Sequence, residues 1–537
     1  MPQTLLLNFQ PEEWGNSTLL YTRAAAALKV PAKKISHIHI QKLSLDARGR
    51  IPCYRATVEA YVLPEKYTSE PLQGIPSAPI AKHAPTVLIV GMGPAGLFAA
   101  LTLASAGIKP IIFERGKPVR ERKRDVAALG RESLLNPESN YSFGEGGAGC
   151  FSDGKLYTRS NKRGDIHRVL RTFVHYGAKE EILYQAHPHL GSDKMPAMIE
   201  KMRGSLLQAG AEIHFNTCIT QIHTDSKGRF AALSDQNGKE YKGNALILAC
   251  GNSASDLYRY LHQKGIALQE KPFAMGVRIE HPQDTVNAMQ YKGAEKRYDL
   301  PPAEYSFAEQ SGNIGVFSFC MCPGGVVVPA STGNNTLVVN GMSDSGRRSP
   351  WANAGWVASV SREILEANGI RLPQHPLALL DFQQQTESRF FTPGKGFAAP
   401  AQRLTDFLKH KNSASLPRSS YSPGIFAADM HQYLPAYIAQ ALRDVLGKIT
   451  KKKPAFLTEQ AILLGLESRT SSPVRILRNP ETLEHPQMPG LYPCGEGAGY
   501  AGGITSSAID GINCAEKILQ NAAIIAKNQN KHEPTGF

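Results

Sequence analysis

Residues 91–96 read Gly-Met-Gly-Pro-Ala-Gly, a G-x-G-x-x-G spacing that can bring a peptide backbone up to a phosphate group. The same spacing recurs at 144–149 and at 497–502, so the pattern alone is weak. Only the first copy lies between a short apolar run, 87–90, and a segment, 94–106, whose pattern predicts a buried helix. Dinucleotide binding requires this strand–turn–helix context, and we predict that a dinucleotide binds here.

Each residue of this turn has its own physical role in that prediction. Gly91 allows the tight turn, Gly93 lets the backbone approach a pyrophosphate, and Gly96 lets the helix pack closely on the strand. The helix N-terminus at Pro94 and Ala95 offers free N–H groups and a partial positive charge to the phosphates. The alternative is a glycine-rich turn with a structural role only.

An acidic residue follows the turn at the distance that nucleotide recognition requires. Glu114 closes the next apolar strand, 109–113, 18 residues after Gly96. Its carboxylate can accept hydrogen bonds from ribose hydroxyls and disfavours a 2′-phosphate, so the predicted nucleotide is ADP-like. Arg115, directly after it, is a further candidate for binding the cofactor.

The elements around this turn indicate several domains in a chain of 537 residues. Apolar and polar residues alternate at 36–45 and 53–62, as they do in half-buried strands, and five prolines follow between 63 and 86. The predicted organisation is a small N-terminal α+β domain (1–62), a linker (63–85), the first part of a Rossmann domain (86–270), a cap or substrate domain (271–485) and the C-terminal part of the Rossmann domain (486–537).

Later segments of the chain predict a further set of strands. A strand is predicted over 211–222, a hairpin around 237–238, a buried strand over 245–249 and a last strand over 491–494. A helix is predicted near 353–367. The set resembles the glutathione-reductase-like FAD-binding fold of two-domain flavoproteins. The resemblance implies an α/β fold: a glutathione-reductase-type Rossmann FAD domain with an inserted α+β cap and a small N-terminal α+β domain.

The resemblance also implies where the flavin binds. In that fold a Gly-Asp pair on the terminal strand binds the ribityl chain, and here the pair is Gly495-Glu496, whose acid is one methylene longer. The last helix opens at Gly502-Gly503-Ile504, and such an N-terminus would face the N1/O2 edge of the isoalloxazine, where reduced flavin carries negative charge. Two further residues of the set are predicted to contact the cofactor, Ile219 and Gly251.

Several strings are similar to those of a closer family, the uncharacterised bacterial FAD-dependent dehydrogenases of the NAD(P)/FAD-dependent oxidoreductase group. The similarity extends over nearly the whole chain. It implies FAD and redox chemistry, but it does not indicate a substrate. The strings are 143–149 with 151–155, 319–325, 340–342, 467–475 and 495–503.

The loop at 144–149 follows the first βαβ unit, and in related folds such a loop lines the flavin. Gly146 and Gly147 permit backbone N–H groups near the ring, so both are candidate cofactor-binding residues. Glu145 is a candidate acid or base beside the ring. The alternative for Glu145 is a carboxylate that accepts hydrogen bonds from backbone amides.

Two arginines near the re-entry into the Rossmann domain could bind an anion. Arg469 and Arg475 are candidates for contact with a substrate carboxylate or a phosphate, because a guanidinium binds both in a bidentate manner. The alternative is an internal salt bridge, for example between Glu467 and one of them.

Several functions are not supported by the sequence. No Cys-x-x-Cys or Cys-x4-Cys pair is present among the eight cysteines, which argues against a disulfide reductase and gives no metal site. No second G-x-G-x-x-G lies in a βαβ context, so NAD(P)H is left open only as a transient electron donor. The net charge of +14 permits an anionic partner, but no nucleic-acid motif accompanies it. The uncharged stretch 86–107 is better explained by a buried strand–turn–helix than by a membrane span, and a cytoplasmic protein is expected.

The sequence therefore predicts an FAD-dependent oxidoreductase that moves a hydride between a small organic substrate and non-covalent FAD. The alternatives are an RNA-modifying flavoprotein, which the positive charge suggests, and a non-catalytic flavin-binding scaffold. The substrate, its charge and the oligomeric state are left open.

Overall fold

The computed structural model describes residues 2–68, 79–157 and 164–530, with side chains as far as residue 521. The strands are β1 (Gln3–Phe9), β2 (Ile35–Asp46), β3 (Cys53–Val62), β4 (Thr86–Val90), β5 (Lys109–Phe113), β6 (Glu212–His214), β7 (Ile219–Thr224), β8 (Phe230–Asp235), β9 (Glu240–Lys242), β10 (Ala245–Leu248), β11 (Leu268–Glu270), β12 (Phe273–Pro282), β13 (Ala308–Ser311), β14 (Ile314–Cys322), β15 (Val326–Pro329), β16 (Val339–Met342), β17 (Trp351–Val360), β18 (Ala399–Arg403), β19 (Ile425–Ala427), β20 (Ile462–Glu467), β21 (Val474–Ile476) and β22 (Leu491–Pro493). The α-helices are α1 (Ser17–Leu28), α2 (Pro94–Ser105), α3 (Val119–Glu132), α4 (Ile166–His175), α5 (Met195–Ala209), α6 (Ser255–Gln263), α7 (Gln283–Tyr291), α8 (Arg362–Ala367), α9 (Ala378–Phe390), α10 (Leu404–Leu408), α11 (Met430–Tyr433), α12 (Ala436–Lys452) and α13 (Ile504–Asn530).

The N-terminal unit is a three-stranded antiparallel sheet of order β1-β3-β2, with α1 packed against it. Its small core contains Phe9, Ala24 and Val58, all buried. The outer strand β2 also joins the rest of the molecule: the Leu43 N–H donates to the Tyr184 carbonyl at 2.7 Å. The predicted linker over 63–85 falls partly on residues 69–78, which lie outside the described residues.

A five-stranded parallel sheet of order β22-β10-β4-β5-β6 forms the nucleotide-binding unit. Val87 to Ile89 in β4 are fully buried, as the unbroken apolar run predicts. The α2 helix is buried from residue 95 to residue 104 and packs against α13 and α5. The stretch 86–107 is thus a buried strand–turn–helix, and none of the described helices is long and apolar enough to cross a membrane.

A separate antiparallel meander, β7-β8-β9, lies beside this sheet, and its second turn is the predicted hairpin at 237–238. The single strand predicted over 211–222 is wrong. The chain leaves the parallel sheet after β6, turns at Asn216 with φ of 52°, and enters the meander as β7. An apolar pattern that continues through such a turn does not reveal the change of sheet.

The cap unit is built on a seven-stranded sheet of order β13-β14-β17-β12-β20-β18-β19. The two short strands β11 and β21 pair antiparallel where the chain leaves and re-enters the nucleotide-binding unit. The helix predicted near 353–367 is wrong in its first half, because 351–360 form β17, an inner strand of this sheet, and α8 begins only at Arg362. A strand buried on both faces has no period that separates it from a buried helix.

Candidate functional site

The turn after β4 depends on glycine at two positions for steric reasons. Gly91 has φ of 100°, and a Cβ there would lie 2.3 Å from the Ala249 carbonyl oxygen. A Cβ at Gly96 would lie 2.0 Å from the carbonyl oxygen of Gly91. The close helix–strand packing predicted from the sequence is therefore present. A Cβ at Gly93 would be only in ordinary contact, 3.7 Å from the Cα of Gly147.

The C-terminal bend lies directly against this turn. A Cβ at Gly495 would stand 2.9 Å from the Cβ of Ala95, and one at Gly511 would stand 2.1 Å from the Ala95 carbonyl oxygen. A Cβ at Gly497 would likewise stand 2.4 Å from the Gly251 carbonyl oxygen. The two glycine-rich segments that the sequence prediction joins are thus neighbours. We call this contact, made by residues 91–96, 249–251 and 495–511, the glycine seam.

The N-terminus of α13 lies beside the glycine seam, and we call the open space at Gly502 and Gly503 the cleft. Gly502 and Gly503 are exposed, and a Cβ on either would meet nothing within 4 Å. Ile504 is buried and packs where a Cβ of Gly149 would lie, 2.8 Å from its Cγ1. The first N–H groups and the positive dipole end of a 27-residue helix therefore face open space.

Glu114 connects the turn at 91–96 to the loop at 144–149, which we call the glycine loop. Its two carboxylate oxygens accept hydrogen bonds from the N–H groups of Met92, Gly116 and Gly144, each at 2.9 Å. A carboxylate has about four acceptor sites, so little capacity is left for the ribose contact predicted from the sequence. Arg115 is held by Glu138 at 2.6 Å and Asp256 at 3.0 Å, and its role toward the cofactor stays a prediction.

Glu145 makes the contacts of the alternative interpretation rather than those of an acid facing a ligand. It is fully buried, and its Oε2 accepts from the Val119 N–H at 2.8 Å and from Arg203 at 2.6 Å. Burial raises the pKa of this carboxyl, although the Val119 N–H and Arg203 oppose the rise. These contacts favour the structural alternative, because both partners belong to neighbouring helices, while a catalytic role for Glu145 stays a prediction.

The glycine loop is held from inside by an arginine that the sequence analysis missed. Arg122 is fully buried, and its guanidinium donates to the carbonyls of Glu145 at 2.7 Å and Gly147 at 2.9 Å. The Gly146 N–H in turn donates to the Met92 carbonyl at 2.8 Å. The loop thus lies over the start of α2, and the contact of Gly146 and Gly147 with the flavin ring stays a prediction. The sequence does not single out Arg122, because this residue lies in a run of basic residues, 115–124, and such a run usually forms the exposed face of a helix.

Of the remaining cofactor candidates, Gly251 and Glu496 lie within the glycine seam, and the contact of Ile219 with the cofactor stays a prediction. Ile219 begins β7 opposite Asp235, and Gly251 has φ of 73° with open space at its Cβ position. Glu496 is half-buried at the cleft, and the amide of Asn252 donates to it at 2.9 Å. Burial raises the pKa of Glu496 to about 7, and the charge of Lys271 opposes the rise.

The two arginines predicted to bind an anion have different surroundings. Arg469 pairs with Glu387 at 3.1 Å, so the salt-bridge alternative holds for it. Its partner is not Glu467, which instead forms a fully buried pair with Arg278 at 2.8 Å. Arg475 lies in β21 against the C-terminal bend, and its Nε has no hydrogen-bond partner among the described residues.

A charged group on the far side of the cleft was not predicted. The Asp153 carboxylate lies 3.1 Å from the Lys155 ammonium and 3.1 Å from Arg347, and it accepts the Ser343 hydroxyl. We call these four residues the Lys155 cluster. Two of them precede the cap in sequence and two lie within it. The sequence string at 151–155 includes Asp153 and Lys155, but no spacing in the sequence identifies Ser343 and Arg347 as their partners.

The Lys155 cluster lies beside a bulge in β14. The pairing of β14 with β17 shifts register between Phe319 and Cys322, and Cys320 takes φ of 44° with its side chain exposed. Lys155 donates to the carbonyl of Met321, and Arg278 donates to that of Cys320 at 3.3 Å. Two cations therefore hold the two carbonyls of the bulge at the edge of the cleft.

Comparisons with known proteins identify the parts of the chain. Residues 84–250 match a family model described as an FAD binding domain. Residues 272–470 match one described as an FAD-dependent protein, C-terminal domain-like, and residues 1–61 match a domain of unknown function.

Solved structures give a weaker likeness. Native FqzB is 12% identical with a TM-score of 0.34, covering 82% of this chain and 77% of that one. The halogenase PltM is 13% identical with a TM-score of 0.34, covering 82% and 70%. CtdE in complex with FAD is 12% identical with a TM-score of 0.28, covering 84% and 93%. At these scores the likeness says nothing about the activity of this chain.

A curated relative is much more similar. An uncharacterized protein of Clostridium beijerinckii is 42% identical over 441 residues, which cover 81% of this chain and 80% of the relative. Because the identity extends over four fifths of both chains, the protein belongs to the same family of FAD-dependent oxidoreductases, and FAD is its cofactor.

Proposed function

We propose that the protein is a dehydrogenase that transfers a hydride between a small organic substrate and non-covalently held FAD. The observation that carries the proposal is the position of the α13 N-terminus. It opens at Gly502 and Gly503 into the cleft, and the Thr505 hydroxyl of the same helix turn donates to the carbonyl of Leu156, the residue after Lys155. A redox ring at this point would have the nucleotide-binding unit on one side and the cap on the other.

The described residues fit the shape and charge of FAD. A Cβ at Gly93, Gly502 or Gly503 meets no close contact within the protein, so glycine at these positions leaves room for something other than the chain. The N-termini of α2 and α13 offer N–H groups to anionic oxygens. Residues 91–96 would hold the diphosphate, and Gly495 with Glu496 would hold the ribityl chain.

The parallel sheet and its meander support a glutathione-reductase-type arrangement for this unit. The five strands are all parallel, and β7-β8-β9 form a separate antiparallel sheet next to them. This topology supports the type that the sequence resemblance implies, and we propose the type on that basis. We also propose the domain limits at 62, 85, 270 and 485.

FAD supplies a two-electron acceptor when it is bound. The chain's own residues orient the partners: the α13 N-terminus offers positive dipole charge where negative charge develops. An acid or base for the reaction is not assigned, since Glu145 is turned away into its own ion pair. A nicotinamide donor would bind transiently, without a Rossmann unit of its own.

An anaerobic titration tests this proposal. The purified protein is mixed with small organic compounds, and separately with NADH and NADPH, while the visible flavin absorbance is followed. We expect an organic compound to bleach the band. Bleaching by dithionite alone would favour the scaffold alternative, and nucleic acid that co-purifies and leaves with salt would favour the RNA-modifying one.

The Gly93→Val variant locates the diphosphate in the same experiment. We expect it to lose the bound chromophore, because the larger side chain occupies the path of the phosphates. The matched control is Gly204→Val in α5, where a Cβ also meets nothing within 4 Å. Full retention of the chromophore by Gly93→Val would contradict this placement.

A further inference from the structure

The two edges of the N-terminal sheet differ in how they are covered. At one edge, β2 exchanges two backbone hydrogen bonds with the segment 184–186, through the N–H and the carbonyl of Leu43, at 2.7 and 2.8 Å. The pairing of β2 with β3 also shifts register twice, and charged Lys42 follows the second shift. Pairing, bulges and charged side chains all prevent further strands from adding to an edge, and β2 has all three.

The opposite edge is β1, which has none of these features. Its sequence, Gln-Thr-Leu-Leu-Leu-Asn-Phe, contains no charged residue and no proline, and its pairing with β3 is continuous over seven residues. Among the described residues, no strand pairs with its other side, and the one hydrogen bond from outside the sheet is that of Arg23 to the Asn8 carbonyl. Alternate residues of such a strand point their N–H and C=O groups away from the sheet, free to pair.

The side chains of β1 leave a leucine exposed at the centre of this edge. Leu7 and Phe9 are buried in the small core under α1, whereas Thr4, Leu6 and Asn8 are exposed on the other, open face of the sheet. Leu6 is 55% exposed and borders a hollow on that face. An unpaired edge strand without charge and with an exposed leucine favours the addition of another strand.

A second copy of β1 fits this edge by symmetry. A two-fold axis at residue 6 places residues of similar polarity opposite each other in two antiparallel strands: Leu6 and Leu6, Leu5 and Leu7, Thr4 and Asn8. The pairing keeps the buried side chains of both copies on the face that α1 covers, because opposite residues of paired strands share a face. The strand is therefore complementary to itself.

The charges on the neighbouring strands agree with this arrangement. Arg55 lies beside Asn8 and Glu59 beside Thr4, so the axis puts Arg55 of one copy and Glu59 of the second copy in the same row across the sheet. Lys42 lies in the row of Leu6 and is five strand spacings, or about 24 Å, from its counterpart, well beyond the Debye length of about 8 Å at physiological salt. Like charges therefore do not meet at the contact.

We infer that β1 is a dimerisation edge, and that two copies of the protein pair through antiparallel β1 strands, with Leu6 opposite Leu6. The two three-stranded sheets then form one sheet of six strands, while β2 of each copy keeps its bonds to residues 184–186. The inference gives the N-terminal domain a role as the link between two FAD-binding chains. It holds whether or not the proposed hydride transfer does.

Sedimentation of the FAD-loaded protein over a range of concentrations tests the inference. We expect a monomer–dimer equilibrium for the wild type. Leu6→Lys should weaken it at least about tenfold, because it removes the leucine contact and sets two like charges opposite each other. The matched control is Leu134→Lys, a similarly exposed leucine (60%) outside the N-terminal domain, which should dimerise as the wild type does. Flavin absorbance and circular dichroism report that each variant is folded.

Cysteine cross-linking tests the register and does not depend on how Leu6→Lys folds. Leu6→Cys brings two cysteines together at the axis, so mild oxidation should give a covalent dimer on a non-reducing gel. Thr4→Cys on the same strand is the control, because the two cysteines would then be about 14 Å apart, too far for a disulfide. The wild type, with Cys320 exposed, gives the background.

A wild type that stays monomeric at every concentration measured would overturn the inference. A dimer that Leu6→Lys leaves unchanged would overturn it too, since another surface would then join the copies, and so would cross-linking of Thr4→Cys in preference to Leu6→Cys. Because the contact contains no ion pair, the dimer should be as strong at about 1 M salt as at about 0.15 M. Dissociation of the dimer by salt would indicate an ionic contact and contradict pairing through β1.

Discussion

The two sides of the cleft are held together by opposite means. On the nucleotide-binding side, the glycine seam brings backbone against backbone, and a Cβ at Gly91, Gly96 or Gly497 would overlap a carbonyl oxygen. On the cap side, long charged side chains span the gap, with Arg278 and Lys155 bound to the bulge in β14. Added side-chain volume destabilises the first side, whereas the loss of a charge destabilises the second. Substitutions should therefore fail for different reasons on the two sides.

The largest expected effect is on the cap side, from Arg278→Met. Removal of the guanidinium leaves Glu467 fully buried without its partner, and a broken buried pair typically costs about 3–5 kcal/mol. Urea denaturation should show this loss in the free energy of unfolding. The matched control is Arg120→Met. The Arg120 side chain is 84% exposed, so loss of its ion pair with Glu200 should leave the free energy of unfolding nearly unchanged.

The double variant Arg278→Met/Glu467→Leu separates charge from volume. It removes both charges, so we expect it to regain much of the lost stability. A double variant as unstable as Arg278→Met would mean that the cap side depends on packing, and the contrast between the two sides would disappear.

The next effect is on the nucleotide-binding side, from Gly96→Ala. The added methyl lies 2.0 Å from the Gly91 oxygen, so α2 must move away from β4. Overpacking of this kind costs about 1–3 kcal/mol. Gly204→Ala in α5 adds the same methyl to open space and should be neutral or stabilising. Thermal denaturation of the two variants compares them directly, and equal melting temperatures would contradict the steric account.

The same contrast explains how much of the molecule the sequence could predict. Close backbone packing requires glycine at fixed spacing next to a strand and a helix. The turn at 91–96 and its contact with residues 495–503 could therefore be predicted. The charged contacts join residues far apart in the chain, such as Asp153 with Arg347, and any cation could have been the partner. Arg469 illustrates the limit: a salt bridge was foreseen as an alternative, but Glu387 was not foreseen as its partner.

The fold shows a similar limit. The amphipathic and wholly apolar runs predicted β4, α2 and β5 because their context allowed only one interpretation. The strand over 351–360 could not be separated from a helix, since it is buried on both faces between β12 and β14. Glu145 was assigned to chemistry because a carboxylate in a glycine loop suggests it, but only the structure shows its direction toward Val119 and Arg203.

Gly502→Ala tests the part of the nucleotide-binding side that is open rather than packed. A Cβ at this position meets nothing within 4 Å of protein, so stability should not change. FAD affinity should nevertheless fall at least about tenfold, or about 1.4 kcal/mol, if the ring lies against the helix N-terminus. Equilibrium titration of flavin-free protein with FAD measures this, with Gly204→Ala as control. An unchanged affinity would place the ring elsewhere.

The smallest expected effect concerns Glu496, a half-buried acid of the glycine seam. Burial raises its pKa from an ordinary value of 4.5 to about 7, so the folded chain holds this proton more tightly than the unfolded chain. The stability that it contributes is complete below about pH 4.5 and is lost as the pH rises through 7. Urea denaturation of flavin-free protein at pH 5 and pH 8 should show a decline about 1 kcal/mol greater in wild type than in Glu496→Gln, the partial exposure of the side chain limiting its size. The exposed Glu240→Gln in β9 should keep the wild-type profile. If Glu496→Gln shows the same pH dependence as wild type, burial in the glycine seam does not raise the pKa of the Glu496 carboxyl. The carboxyl would then face solvent rather than a ribityl chain.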